Sequence, residues 1–202
     1  MTVVGLFLVL AYLIGAIPTS YIVGRMRGID LRQHGSGNLG ATNAFRVLGW
    51  KAALPIFILD IAKGWFPAFA LPIWDGQPST HWAMAYGAAT IVGHVFSIYV
   101  GFKGGKGVAT SAGVLLALAP VPLLIGLVAW TALVWTTGYV SLASMIGAIV
   151  VAAAVWLISG PGPILWLTLT VAAFVIFAHR ANLRRLMAGT ENRFSRKARE
   201  AR

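Results

Sequence analysis

The chain contains no cysteine. Disulfides, thiolate nucleophiles and cysteine metal sites are thereby excluded. Charge is also scarce, at 10% of 202 residues, where about a quarter is usual for a soluble domain. Acids are the rarest charges, with five Asp and Glu against sixteen Lys and Arg. No dense carboxylate cluster for magnesium can be drawn from so few. There is no Gly-x-Ser-x-Gly elbow for a serine nucleophile. The alternation of polar and apolar residues that a membrane barrel requires is missing as well. What fills the sequence is apolar: 58% hydrophobic residues, with a mean hydropathy of +0.81. The runs are continuous, so the chain reads as all-α, a polytopic transmembrane helical bundle. It has no internal repeat strong enough to use and no separate soluble domain, so residues 1–202 are taken as one domain. The first run, Val3 to Ile17, lacks the basic flank of a signal peptide and is expected to be a retained helix.

A spanning helix needs about 20 apolar residues. Candidates are Val3–Val23, Ala52–Ile73, His81–Val100, Val140–Ile158 and Pro163–Phe177. Between them lies Val108–Thr136, apolar throughout but interrupted by Pro120 and Pro122. It reads either as one long tilted helix or as two short ones turning at Ala119-Pro120-Val121-Pro122.

Charge chooses between these. The Arg25–Lys51 loop carries five cations and one acid, the Trp74–Thr80 loop carries Asp75 and no cation, and the Phe102–Gly107 loop carries two lysines. Seven of the eleven arginines fall between Arg180 and Arg202. If basic segments are cytoplasmic, the N-terminus is outside and the tail inside, which demands an odd number of spans. Splitting at the prolines gives seven helices. The net charge of +11 is accounted for by this bias and by anionic headgroups. Membrane lipids are expected partners, and nucleic acid is not.

Three polar stretches interrupt this apolar chain. The first is Gly35-Ser36-Gly37-Asn38-Leu39-Gly40-Ala41-Thr42-Asn43, flanked by Arg32 and Arg46. Its glycines free backbone N–H groups to converge, and Ser36, Asn38, Thr42 and Asn43 add short donors. It reads as a phosphate cradle or as a flexible turn. A formal match to the dinucleotide fingerprint carries little, because a membrane helix precedes it rather than a strand. A helix starting near Ala41 would offer its N-terminus to an anion and place Arg46 one turn along. The second stretch is Phe102-Lys103-Gly104-Gly105-Lys106-Gly107. It fails as a Walker loop, with Val100 in place of the first glycine and Gly107 in place of Ser or Thr. Its adjacent glycines allow close backbone approach to a ligand, although two lysines also suit an ordinary cytoplasmic loop. His94 lies just upstream, as a ligand contact or a hydrogen-bonded structural group.

The third stretch runs from His179 to Glu191. His179, Asn182 and Arg185 are spaced three apart, along one helical stripe. They read as site residues or as part of a basic helix lying on anionic lipid. Glu191 is a salt-bridge anchor or a site residue. Asp60 and Lys63, one turn apart within an apolar run, are expected to pair or to form a polar face toward the site. No histidine is followed five positions on by Asp, so the common His/Asp acyltransferase motif is absent.

These motifs resemble the bacterial acyl-phosphate:glycerol-3-phosphate acyltransferases, small integral-membrane enzymes of phospholipid synthesis. The resemblance lies in Gly35–Asn43 with Arg46, in Gly93-His94 through Phe102-Lys103-Gly104-Gly105-Lys106-Gly107-Val108-Ala109-Thr110, and in His179 to Glu191. It covers nearly the whole chain. It implies seven helices, an N-terminus outside, a cytoplasmic C-terminus and an active site on the cytoplasmic side of the bacterial inner membrane. It also implies acyl-phosphate as donor, supplied by a separate enzyme, and glycerol-3-phosphate as acceptor; no cofactor is expected, and no residue is assigned to a metal. Ser36, His179 and Asn182 are then the expected catalytic residues. The expected substrate contacts are Gly35, Gly37, Asn38, Gly40, Thr42, Asn43, Arg46, His94, Lys103, Gly104, Gly105, Lys106, Gly107, Thr110, Arg185 and Glu191.

An inventory of donors and cations with few bases suits this chemistry. An acyl-phosphate is already activated, and both substrates carry phosphate. The donor's own phosphate, or His179 if neutral, can take the hydroxyl proton. A carrier for a phosphorylated molecule would share the basic pockets, but would be expected to show inverted repeats and polar residues at the midplane.

Overall fold

Proline and glycine decide where the apolar runs break. The structure, a computed structural model, describes residues 3–76 and 78–194. It contains ten α-helices and no strand among those residues. Helices α1 (Val3–Ala16) and α2 (Thr19–Met26) make one apolar stretch interrupted at Pro18, which has no N–H to continue the helical ladder. Then come α3 (Ala41–Leu48), α4 (Trp50–Trp74), α5 (Thr80–Val95) and α6 (Val108–Leu118). The second half holds α7 (Pro120–Thr137), α8 (Val140–Ser159), α9 (Pro163–Ala178) and α10 (Arg180–Met187). Pro120 and Pro163 both open helices, where a missing N–H costs nothing.

Among the described residues, five stretches are long and apolar enough to cross a membrane: Val3–Met26, Trp50–Trp74, Thr80–Val100, Pro120–Thr137 and Val140–Ser159. The pair α9 and α10, bent by 57°, makes a sixth if taken as one. The expected break near the prolines is present, but unequal. Helix α7 is of spanning length by itself, whereas α6 has 11 residues and rises only about 16 Å.

The chain forms two compact units, the first through Leu118 and the second from Ala119. In the first, α1 packs on α5 and α4 on α6. Small residues make both crossings close. A methyl group at Gly93 would collide with the Tyr12 carbonyl of α1, and one at Gly64 with the Thr110 carbonyl of α6. Dense packing of this kind replaces the hydrophobic driving force that lipid removes. Leu31, Leu39, Ala44, Ile56 and Val100 form a buried cluster beneath α3, which roots both glycine-rich stretches in the same core. In the second unit α8 packs against α7 and α9.

Candidate active site

The first glycine-rich loop is shaped by its own side chains. Asp30 accepts the Arg32 backbone N–H at 3.1 Å and opens a short 3-10 turn, Leu31–Gln33. Its carboxylate also takes the Arg32 guanidinium, with the closest contact at 2.6 Å. That hydrogen bond holds the Asp30 carboxyl down at about 2. The Arg32 guanidinium stacks 4.7 Å above the centre of the Tyr21 ring. Asn43, 1% exposed, spends its amide on the loop. Its Oδ1 accepts Ser36 N–H at 2.8 Å, and its Nδ2 donates to the carbonyls of Leu31 and His34 at 3.2 and 3.1 Å. Gly35 and Gly37 have φ of +64° and +69°, the left-handed region that side chains disfavour. Ser36 is exposed, and Asn38, Gly40, Thr42 and Arg46 are half-buried around the start and body of α3.

The second loop hangs from the end of α5. Gly104 N–H donates to the Val95 carbonyl at 2.9 Å and Gly105 N–H to the His94 carbonyl at 3.2 Å. A methyl group at Gly104 would collide with the His94 carbonyl, and one at Gly105 with His94 Nε2. The latter would also stand 2.8 Å from the Leu39 carbonyl oxygen, so the two loops are in backbone contact. Gly107, at φ +80°, leads into α6. Lys103 is exposed and Lys106 half-buried.

Three of the expected ligand contacts are packed into the fold. His94, 6% exposed, is a buried post for the second loop, and its Nδ1 lies 3.8 Å from Asp60. Thr110 is fully buried where α6 crosses Gly64. Asn43 likewise serves the loop's shape. His94 thus has the surroundings of the structural alternative, while the burial of Thr110 and Asn43 is not legible in the sequence, because it depends on which element lies across.

The third cluster belongs to the second unit. His179 stands at the bend between α9 and α10, 5% exposed, with Nδ1 2.8 Å from the Val175 carbonyl. Asn182 and Arg185 do share one helical stripe, and both turn toward Glu191. Glu191 Oε1 accepts Asn182 Nδ2 at 2.7 Å and Ser141 Oγ at 2.9 Å, while Oε2 accepts Arg185 Nε at 2.7 Å. Burial alone would raise the Glu191 carboxyl, but these hydrogen bonds outweigh it and hold it below the ordinary glutamate range. Of the two readings of Glu191, the anchor is the one the geometry supports. The segment beyond it is clasped as well: Phe194 N–H donates to Gly138 O at 2.7 Å, and Arg193 Nε to the Tyr139 hydroxyl at 2.8 Å. Ser141 and Tyr139 had no motif to mark them. Arg196, Arg199 and Arg202 lie outside the described residues.

Known proteins match this chain over nearly its whole length. The family profile described as glycerol-3-phosphate acyltransferase matches residues 5–189. The glycerol-3-phosphate acyltransferase of Bacillus cereus is 46% identical, over 95% of this chain and 96% of that protein. The one from Chlorobaculum parvum is 41% identical, over 92% of this chain and 94% of that protein. The crystal structure of PlsY, an integral membrane glycerol 3-phosphate acyltransferase, in its glycerol 3-phosphate form matches with a TM-score of 0.92 at 34% identity. That match covers 98% of this chain and 99% of PlsY. Because the profile spans both glycine-rich loops and α10, and the relatives match over nearly their whole length, the chain belongs to the glycerol-3-phosphate acyltransferase family.

Proposed function

We propose that the protein, as one acyltransferase domain, moves an acyl group from an acyl-phosphate to the sn-1 hydroxyl of glycerol-3-phosphate. The hydroxyl oxygen forms a bond to the acyl carbon, and the bond from that carbon to the donor's phosphate oxygen breaks. Inorganic phosphate leaves and takes the hydroxyl proton, giving 1-acyl-glycerol-3-phosphate. The observation that carries this reading is the contact between two donor-rich loops at Gly105 and Leu39. A reaction whose substrates both bear phosphate needs two such loops side by side.

Positive charge and backbone donors are the main contribution of these loops, because they stabilise charge on the departing phosphate. Ser36, Asn38, Arg46, Lys103 and Lys106 are assigned to the two phosphates. His179 and Asn182 are assigned to the acceptor hydroxyl, with His179 the protein's best proton acceptor should the donor's phosphate not serve. No acyl-enzyme is required, since the donor is already activated.

The chain is placed in the bacterial cytoplasmic membrane with seven spans, α6 being a short one. The N-terminus is then outside and the loops and tail cytoplasmic, where a separate enzyme supplies acyl-phosphate. The test is purified protein given glycerol-3-phosphate with acyl-phosphate, acyl-coenzyme A or acyl carrier protein as donor. Lysophosphatidate from acyl-phosphate alone is expected. Equal or faster product from a thioester would overturn the donor assignment, and no product from any donor would favour a carrier.

A further inference from the structure

Inside the first unit, beneath the loops, lies a charged group to which the proposed reaction assigns no role. Asp60 and Lys63 sit one turn apart on α4, 1% and 8% exposed. Lys63 Nζ is 2.8 Å from Asp60 Oδ1 and donates at 2.8 Å to the Ile17 carbonyl, at the break between α1 and α2. Asp60 Oδ1 also accepts the Thr19 hydroxyl at 2.6 Å. Across the same break, Ser97 Oγ donates to the Ala16 carbonyl at 2.5 Å. The pair therefore ties α4 to the first residues of α2 and to the last carbonyl before Pro18. On its other side stands His94, whose carbonyl and ring seat Gly104 and Gly105.

A small cavity separates this group from the loops. Ile17, Thr19, Leu39, Lys63, His94 and Gly105 are among its walls, and its volume is about 10 Å³. That is room for roughly one water, too little for a substrate phosphate. The proposed reaction gives the pair no step, and its contacts are with the backbone that carries the loops, at Ile17 directly and through His94.

Stability is a poor reason for such a pair. Two buried ions lose their hydration, and apolar residues of similar volume often serve as well or better. We propose that Asp60 and Lys63 are positioning residues: they fix the α1–α2 break and the His94 post, and so set the spacing of the two phosphate-binding loops. The inference rests on the reading that these loops hold the substrate phosphates.

Two properties separate positioning from simple support. Removing one partner strands a buried charge and should lower the melting temperature sharply. Removing both, in Asp60→Asn/Lys63→Met, leaves no lone charge and should restore most of it. A support role ends there, with kinetics restored too. A positioning role predicts a folded double variant whose KM for glycerol-3-phosphate or acyl-phosphate stays raised roughly ten- to a hundredfold, with kcat at saturation changed far less.

The experiment measures melting, KM and kcat in detergent, with glycerol-3-phosphate affinity by calorimetry as a readout independent of turnover. Asp75→Ala, which removes the acceptor of the Tyr86 hydroxyl, is the control expected to move melting alone. Thr19→Val keeps the side chain's shape, loses the donor to Asp60, and serves if the double variant does not fold. It should raise KM or the dissociation constant severalfold. Wild-type KM and affinity in a folded double variant, or in Thr19→Val if that variant alone folds, would overturn the proposal. A wild-type protein that binds glycerol-3-phosphate without transferring acyl groups would refute the proposed reaction, and the affinity comparison would still decide this inference. A wild-type protein that does not bind it would sink both.

Discussion

Removing the Glu191 side chain should unfasten the end of the second unit. In Glu191→Ala, Asn182 Nδ2 and Ser141 Oγ lose their shared acceptor, Oε1. Both residues are about nineteen-twentieths buried, at 6% exposed each. A buried donor left without a partner costs about 1–3 kcal/mol. Arg185 contributes less, since its side chain is 38% exposed and water can replace an exposed ion pair worth about 0–1 kcal/mol. The whole loss is on the order of 2–7 kcal/mol, a large share of the roughly 5–15 kcal/mol that holds a domain folded. For a chain of this size it corresponds to a melting temperature lower by on the order of 10 °C. Glu191→Gln keeps the volume and one acceptor, and should lose less. Acid should narrow the gap. The folded carboxyl lies below its ordinary value of 4.5, so its stabilisation is complete above that value and lost as the pH falls through the folded one. The assay is thermal unfolding in detergent at neutral pH and at successively lower pH. A Glu191→Ala protein that melts within 2 °C of wild type, on the roughly 2–4 °C per kcal/mol scale, would refute the anchor.

Three further outcomes are expected. Gly105→Ala pushes a methyl group into His94 Nε2 and to 2.8 Å from the Leu39 carbonyl; parting the loops should raise KM for a phosphorylated substrate roughly ten- to a hundredfold, and wild-type kinetics would show that their contact is unimportant. His179→Ala and Asn182→Ala should each lower kcat by about 10²–10⁴, while neutralising Arg196, Arg199 and Arg202 together should cost far less; the reverse order would make this cluster a lipid anchor. Reporter fusions after Trp74, Pro120 and Gly160 should all report the exterior, and a cytoplasmic report at Pro120 would remove α6 as a span.

Much of the fold was legible because an apolar run in a membrane protein has few alternatives to a helix. The stretch Ala52–Ile73 lies inside α4, and the turn before Pro163 falls where glycine and proline put it. The break at Pro18 is not legible in the sequence, since a proline inside a hydrophobic run can kink a helix or end it. Local spacing placed Asn182 and Arg185 on one stripe, but could not choose between ligand and anchor for Glu191, nine positions from Asn182. Long-range partners were the least visible. Asp60 meets Thr19 across 41 positions and Lys63 meets the Ile17 carbonyl across 46, and no periodicity in α4 reports what lies opposite. Asn43 and Thr110 are polar, and polarity serves a loop staple or a close helix crossing as well as a ligand contact.

The most direct test of acyl transfer without a covalent intermediate is a rapid time course of inorganic phosphate release from acyl-phosphate, with and without glycerol-3-phosphate. Phosphate should appear one-for-one with lysophosphatidate when the acceptor is present, and without any burst when it is withheld. A burst of one phosphate per enzyme before acceptor is added, with an acyl group left on the denatured protein, would contradict direct transfer.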